Sequence, residues 1–429
     1  MRRGTGRRPA GGACAAALAA VLVLLGAAGP ALAAPARPTA DPTAPTPTAP
    51  YPGGPPQGSA PDGSTVGGEG LDTRGLVVGD GTPPLPDGIA AQGWLVADAL
   101  SGEILAARDP HGRYYPASTL KTLTLLTLAP RLDPAQVVEG TVEDEQVEGS
   151  RVGLVAGGRY PVSLLFQALV LQSGNDAANA LARAGGGLEA TVAAMNATAA
   201  EIGAFDTVAG TPSGLDVAGQ SSSPYDLALV FRRLVADPGT AAVLATPTAQ
   251  MPPVEGRSPG YQIQNQNPLA GYPGGLGGKT GFTDAARHTF VTAAERDGRR
   301  LVVSVMDTEN VPLRAADQAG LLLDWGFATD PSTEGVGRLV ASGAEALAAP
   351  DPTTTPTTTP TTAPPSAAPP AGHTAPVAAP REEASGSAVA GVVLAVLAGI
   401  VVVATVVGRR RAVIRPPGRS DAGSPSTPP

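Results

Sequence analysis

YYPASTLKTLTLLTL, Tyr114–Leu128, sets a serine and a lysine three residues apart at the head of a run of leucine and threonine. Pro116 and Ala117 lead into apolar spacing of three and four, so the stretch reads as a helix with Ser118 in its first turn and Lys121 one turn on, on the same face. That spacing lets the ammonium nitrogen reach the hydroxyl oxygen. A serine is a poor nucleophile until a neighbouring base takes its proton. Lysine can be that base only with a lowered pKa, and Leu120, Leu123 and Leu125 offer the apolar surroundings that would lower it. Backbone N–H groups at a helix start can also stabilise an oxyanion. Taken alone, Ser-x-x-Lys occurs by chance in many chains, where a capping serine followed by an exposed lysine is the ordinary reading.

Two further elements follow in order. LQSGNDAANALA places Ser173-Gly174-Asn175 at a break between two helical patterns, where a hydroxyl and an amide can face a cleft. GGLGGKTGFT places Lys279-Thr280-Gly281 just before the last hairpin, as the edge strand of a sheet. A glycine-rich edge lets a peptide lie close and pair as an added strand. Lys279 and the Thr280 hydroxyl are suited to a carboxylate at that peptide's end.

The surrounding pattern gives the fold. GWLVADALSGEILAARD has two apolar stretches about Leu100-Ser101-Gly102, and RHTFVTAAERDGRRLVVSVMDT repeats the form about Asp297-Gly298, a tight-turn pair. Between them SLLFQALVLQ (Ser163–Gln172), NDAANALARA (Asn175–Ala184) and DLALVFRRLVAD (Asp226–Asp237) have helical spacing, and RAADQAGLLLDWGF after the last hairpin reads as another helix. Strands at both ends with helices between predict an α+β domain over residues 85–330. Its antiparallel sheet is flanked by helices and carries an inserted helical lobe. Ligands tend to bind where such lobes meet.

Both termini are of another character. Arg2, Arg3, Arg7 and Arg8 precede an apolar stretch and Ala31-Leu32-Ala33, the three-part form of a secretory signal, so residues 1–33 are expected to be removed. An uncleaved signal anchor and a twin-arginine signal are the weaker alternatives. Residues 34–84 read as a Pro/Thr/Gly-rich linker, and residues 331–385 as a tail and Pro/Thr-rich spacer biased to extended geometry, with a reach of roughly 100 Å. Residues 386–408 are an uncharged apolar run followed by Arg409, Arg410 and Arg411. Roughly 20 such residues cross a bilayer as a helix, and flanking arginines stay cytoplasmic. The expectation is a single-pass protein of the cell membrane, with its bulk outside, on the cell-wall side, and residues 409–429 as a basic cytoplasmic tail.

Composition excludes several classes. The single cysteine, Cys14, lies in the signal, so the exported chain has no disulfide, thiol nucleophile or cysteine metal site. The absence of disulfides suits a bacterial envelope protein. A net charge of −8 argues against a nucleic-acid partner. The acidic run VEDEQVE (Val142–Glu148) reads as a solvated face, not a metal site. Of three histidines only His288 falls near the site region, and a Ser-His-Asp triad built on it would leave Lys121 and Lys279 unexplained.

Serine-lysine, serine-x-asparagine and lysine-threonine-glycine, in that order, form the set of the penicillin-interacting serine enzymes. At these residues, and in blocks over most of Leu85 to Met306, the chain resembles the D-alanyl-D-alanine carboxypeptidases, the low-molecular-mass penicillin-binding proteins. The resemblance implies the β-lactamase/DD-peptidase-like fold, with Ser118 as acylated nucleophile and Lys121 as its base. It implies Ser173 as proton relay to the leaving group, Asn175 as the residue that holds the substrate amide and orients Lys121, and Lys279 and Thr280, with Gly281 beside them, as the carboxylate site. The backbone N–H groups of Ser118 and Phe282 match the family's oxyanion hole. Partners would be peptidoglycan stem peptides and β-lactams, with no metal and no cofactor.

Departures exist. Arg287 stands where the family often has glycine, Pro224-Tyr225 where it often has alanine-arginine, and the second, all-strand domain of some relatives is not recognised here. A class A β-lactamase remains an alternative, although the Glu-x-x-Leu-Asn pattern that activates its deacylating water does not occur between Asn175 and Lys279. A non-catalytic wall-binding surface protein is another.

Overall fold

The computed structural model describes residues 60–348 apart from residue 62. The expected signal peptide, most of the linker, the Pro/Thr spacer, the transmembrane run and the basic tail lie outside the described residues.

Seven strands form one antiparallel sheet: β1 (Leu76–Val78), β2 (Gly93–Asp98), β3 (Glu103–Arg108), β4 (Gly275–Thr283), β5 (Arg287–Arg296), β6 (Arg299–Thr308) and β7 (Gly337–Arg338). Their order is β1-β3-β2-β6-β5-β4, with β7 also pairing to β3. Both expected hairpins are present, β2–β3 and β5–β6. The second turns on Asp297 (φ 51°) and Gly298 (φ 77°), and positive φ at both central residues matches the twist of the flanking strands.

Seven labelled helices accompany the sheet: α1 (Lys121–Leu128), α2 (Val162–Leu171), α3 (Asn175–Ala184), α4 (Leu188–Ile202), α5 (Pro224–Ala236), α6 (Pro238–Ala245) and α7 (Ala315–Ala328). The first six are inserted between β3 and β4. Two-residue alternation divides the strands between two cores. Val96, Leu105, Leu301 and Val303 pack with Ala319, Leu322 and Trp325 of α7. Leu95, Ile104, Val302 and Met306 face the other way, joining Leu123, Leu169, Leu181 and Phe231 of the inserted helices. The sheet is therefore covered on both faces, which is why its central strands are apolar at nearly every position.

The folded body is longer than residues 85–330. Ala60, Val66 and Leu71 are buried in the lobe-side core, and β1 and β7 both come from segments read as linker or tail. Surrounding glycine and proline mask these short strands in the sequence, and both pair with the backbone of β3. The acidic run also differs in part. Thr141 caps a short helix, Val142–Gln146, but Asp144 is fully buried and takes a two-pronged bond from Arg183 at 2.6 Å on each side.

Candidate active site

The serine-lysine segment begins as a tight turn. Residues Ala117–Leu120 form a 3-10 turn that continues into α1, where the sequence suggested an α-helix throughout. The Pro116 carbonyl explains the tightening: it accepts from the Thr119 hydroxyl at 2.5 Å and from the Thr289 hydroxyl of β5 at 2.9 Å. Ala117 is left at φ 48°, in the left-handed region that a non-glycine residue enters only when its surroundings enforce it. Ser118 follows, partly open to the cleft.

Lys121 is enclosed at 1% exposure. Its Nζ donates to Ser118 Oγ at 2.9 Å, to Asn175 Oδ1 at 2.7 Å and to the Ser213 carbonyl at 2.6 Å. Burial, then the charge of Lys279, hold its pKa well below the usual lysine range, against an opposing pull from Asp176. The serine-lysine spacing thus produces the contact expected of it, and desolvation weakens the amine's hold on its proton.

The second and third motifs meet beside it. Ser173 lies between α2 and α3 at φ 57°, a position that turns its hydroxyl to Lys279, whose Nζ is 2.9 Å away. Lys279 is 2% exposed, and burial brings its pKa down to about 7. It also donates to the Thr280 carbonyl at 2.7 Å. Asn175 opens α3 and ties Lys121 to the Glu148 loop: its amide oxygen accepts from Lys121 while its nitrogen donates to the Glu148 carbonyl at 2.7 Å.

β4 is the edge strand, as the glycine-rich run suggested. Gly281 lets it approach the serine turn, because a Cβ there would sit 2.3 Å from Thr289 Oγ1, 2.9 Å from the Ser118 nitrogen and 3.0 Å from that of Thr119. This brings the backbone on either side of Gly281 next to the Ser118 N–H. Phe282 turns its side chain outward, 48% exposed, against the ring of His288 at 4.5 Å.

His288 has only Asn310 as a hydrogen-bond partner among the described residues, at 3.3 Å, and no carboxylate orients it, so a triad has no support here. His111 is buried and bonded to Asp206 at 2.8 Å and to the Val66 carbonyl at 2.9 Å. Arg287, where glycine was expected, has φ 52°, so the backbone keeps the shape that glycine would take; a two-pronged pair with Glu309, 2.7 Å on each side, accompanies it. Among the described residues no group of three or more histidine, cysteine, aspartate or glutamate side chains is placed to hold a metal.

Sequence reasoning missed two supports. The Ser213 carbonyl, third partner of Lys121, contributes backbone only and leaves no side-chain signal. Asp176 pins the loop above the cleft by accepting from the backbone of Val152, Gly153 and Leu154 at 2.7 to 3.0 Å. Its place beside Asn175, in the first turn of α3, was the one available hint.

A serine paired to a desolvated lysine, beside an edge strand of an α+β sheet with a helical insertion, defines a serine-type peptidase of the penicillin-binding fold. Residues 81–310 match the D-alanyl-D-alanine carboxypeptidase family. The D-alanyl-D-alanine carboxypeptidase DacB2 of Mycobacterium tuberculosis is 48% identical over 257 residues, 58% of this chain and 87% of that protein. The Escherichia coli carboxypeptidase DacA is 31% identical over 261 residues, 57% of this chain and 62% of that one. A crystal structure of the D-alanyl-D-alanine carboxypeptidase from Mycobacterium tuberculosis superposes with a TM-score of 0.58 at 46% identity, covering 61% of this chain and all of the other. That of a Streptomyces DD-transpeptidase gives 0.53 at 25% identity, over 57% and 100%. The chain belongs to the D-alanyl-D-alanine carboxypeptidase family.

Proposed function

We propose that the protein is a working serine-type carboxypeptidase that trims the terminal D-alanine from peptidoglycan stem pentapeptides, with Ser118 as nucleophile and β-lactams as covalent inhibitors. The observation that carries this reading is the 2.9 Å contact between Ser118 Oγ and a buried Lys121 whose proton affinity is depressed. Lys121 takes the Ser118 proton as Oγ attacks the carbonyl of the last peptide bond, and the N–H groups of Ser118 and Phe282 receive the developing oxyanion. The carbon–nitrogen bond then breaks. Ser173, bonded to Lys279, passes a proton to the departing D-alanine nitrogen, leaving an acyl ester on Ser118 that water hydrolyses. Asn175 holds Lys121 in place and meets the substrate amide, while Lys279 and Thr280 bind the terminal carboxylate.

The same reading assigns the chain's regions: a signal peptide over residues 1–33, a catalytic body that extends beyond residues 85–330 on both sides, a Pro/Thr spacer, and a membrane helix over residues 386–408. The catalytic body then works on the wall side of the cell membrane. Support comes from the arginine-flanked apolar runs in the sequence.

The test is acylation of the full chain by a fluorescent penicillin, followed by release of D-alanine from diacetyl-Lys-D-Ala-D-Ala, beside Ser118→Ala. Stable labelling and D-alanine release in wild type only are expected. A label that is quickly lost with hydrolysed penicillin would make the protein a β-lactamase, and no label at all would make it a wall-binding protein.

A further inference from the structure

A separate cleft of about 770 Å³ opens at the end of the sheet where β2 begins and β3 and β6 finish; Ser118, Lys121, Ser173 and Lys279 are not part of its wall. Its floor is rigid. The Tyr114 hydroxyl donates to Asp109 Oδ2 at 2.5 Å, and a Cβ on Gly112 would lie 2.1 Å from that same oxygen. Leu76 and Val311 also border it, at 49% and 81% exposure.

Arg108 and Asp307 line the cleft, as do Arg74 and Glu309. Among the described residues the Arg108 guanidinium and the Asp307 carboxylate take part in no hydrogen bond or ion pair, with each other or with a neighbour, although both line one cleft. One strand keeps them apart. Arg108 lies level with Trp94 of β2, and on the other side of β2 the Gln92 N–H donates to the Asp307 carbonyl at 3.1 Å. Two strand spacings and a two-residue offset along β2 set their Cα atoms roughly 12 Å apart. Both are near the Tyr114 hydroxyl, whose pKa is pushed far up by burial and by Asp109, with Asp307 adding to the rise and Arg108 opposing it. Asp307 itself is raised by burial, against the pull of Arg287 and with Glu309 adding to the rise.

An anion and a cation held apart across one cleft suit a ligand with both charges close together. The ammonium and carboxylate of an α-amino acid lie about 3 Å apart, and a hydrogen bond of about 2.8 Å at each end spans roughly 9 Å in all. We propose that this cleft binds the zwitterionic head of an α-amino acid, with Asp307 taking the ammonium, Arg108 the carboxylate, and Leu76 and Val311 covering the side chain. Two sources carry that head: a free amino acid such as released D-alanine, or an amino-acid head displayed on the side chain of a larger peptide.

Calorimetric titration of the full chain in detergent tests it, after penicillin treatment to block the Ser118 cleft, with D-alanine, N-acetyl-D-alanine, D-alaninamide and mono-N-acetylated diaminopimelic acid as probes. Saturable binding is expected only for probes with a complete head, weakened about tenfold or more by Arg108→Gln or by Asp307→Asn, as loss of a charge-assisted bond predicts. Asparagine accepts the left-handed backbone of Asp307, at φ 50°, so that variant should fold, and retained penicillin labelling checks both. D-alanine binding alone assigns the cleft to a free amino acid, and binding of the diaminopimelic acid alone assigns it to a peptide. Saturable binding of neither, equal binding of N-acetyl-D-alanine, or unchanged affinity in both variants would overturn the proposal. Failure of penicillin to label Ser118 bears on the carboxypeptidase reading alone, because this titration is read through Arg108 and Asp307.

Discussion

Lys121 and Lys279 are two buried amines in one cleft, and each lowers the tolerance of that cleft for a second positive charge. Lys279, with a pKa of about 7 from burial, has largely lost its proton at pH 8 in the empty site. A substrate carboxylate restores the charged form, so binding must take up a proton above pH 7 and weaken as pH rises, whereas near pH 6 the amine is already charged and uptake falls away. Titrating Ser118→Ala with a D-Ala-D-Ala peptide in buffers of differing ionisation enthalpy should show uptake approaching one proton at pH 8 and little at pH 6; equal uptake at both would refute the assignment of Lys279 to the carboxylate. The polar residues of the site were legible because catalysis needs particular side chains at particular spacings. The Ser213 carbonyl was not, since any residue presents one.

Among the elements, β4 is the one whose sequence is shaped by what must pass near it. Gly281 has no room for a Cβ between Thr289 and the Ser118 turn. Gly281→Ala is expected to push strand and turn apart and to slow penicillin acylation about 100-fold or more, as a displacement of about 1 Å at reacting groups can do. Stopped-flow labelling measures it, and a rate within a few-fold of wild type would show that the strand relaxes without moving the nucleophile. The long helices and both hairpins could be read from apolar period and turn residues. The 3-10 start of the serine segment could not, because it results from hydroxyls of Thr119 and Thr289 converging on the Pro116 carbonyl from segments 170 residues apart.

For the whole molecule, closure depends on chain segments that look like spacer. Tyr225, fully buried on α5, donates its hydroxyl to the Arg338 carbonyl and accepts from the Val340 N–H, both at 2.9 Å, while the Arg338 N–H reaches the Gly67 carbonyl at 2.8 Å. Tyr225→Phe removes one hydroxyl and leaves a buried N–H and a half-buried carbonyl unmatched, so a loss of about 1–3 kcal/mol is expected. Urea unfolding at unchanged slope checks it, and an unaltered midpoint would mean that the terminal strands are not coupled to the lobe. These tie-downs were invisible in the sequence because backbone groups make them. The two short strands also share the outer side of β3, β1 at Leu76–Val78 and β7 at Gly337–Arg338, so that flank offers other molecules little to pair with. The opposite flank is the nine-residue β4, an edge of the kind along which an extended peptide can pair. An unfinished sheet edge is also where proteins stick to copies of themselves. Shelf life and catalysis therefore draw on the same strand: whatever fills the cleft also hides the surface most prone to clumping, and the empty enzyme is the form most exposed to it.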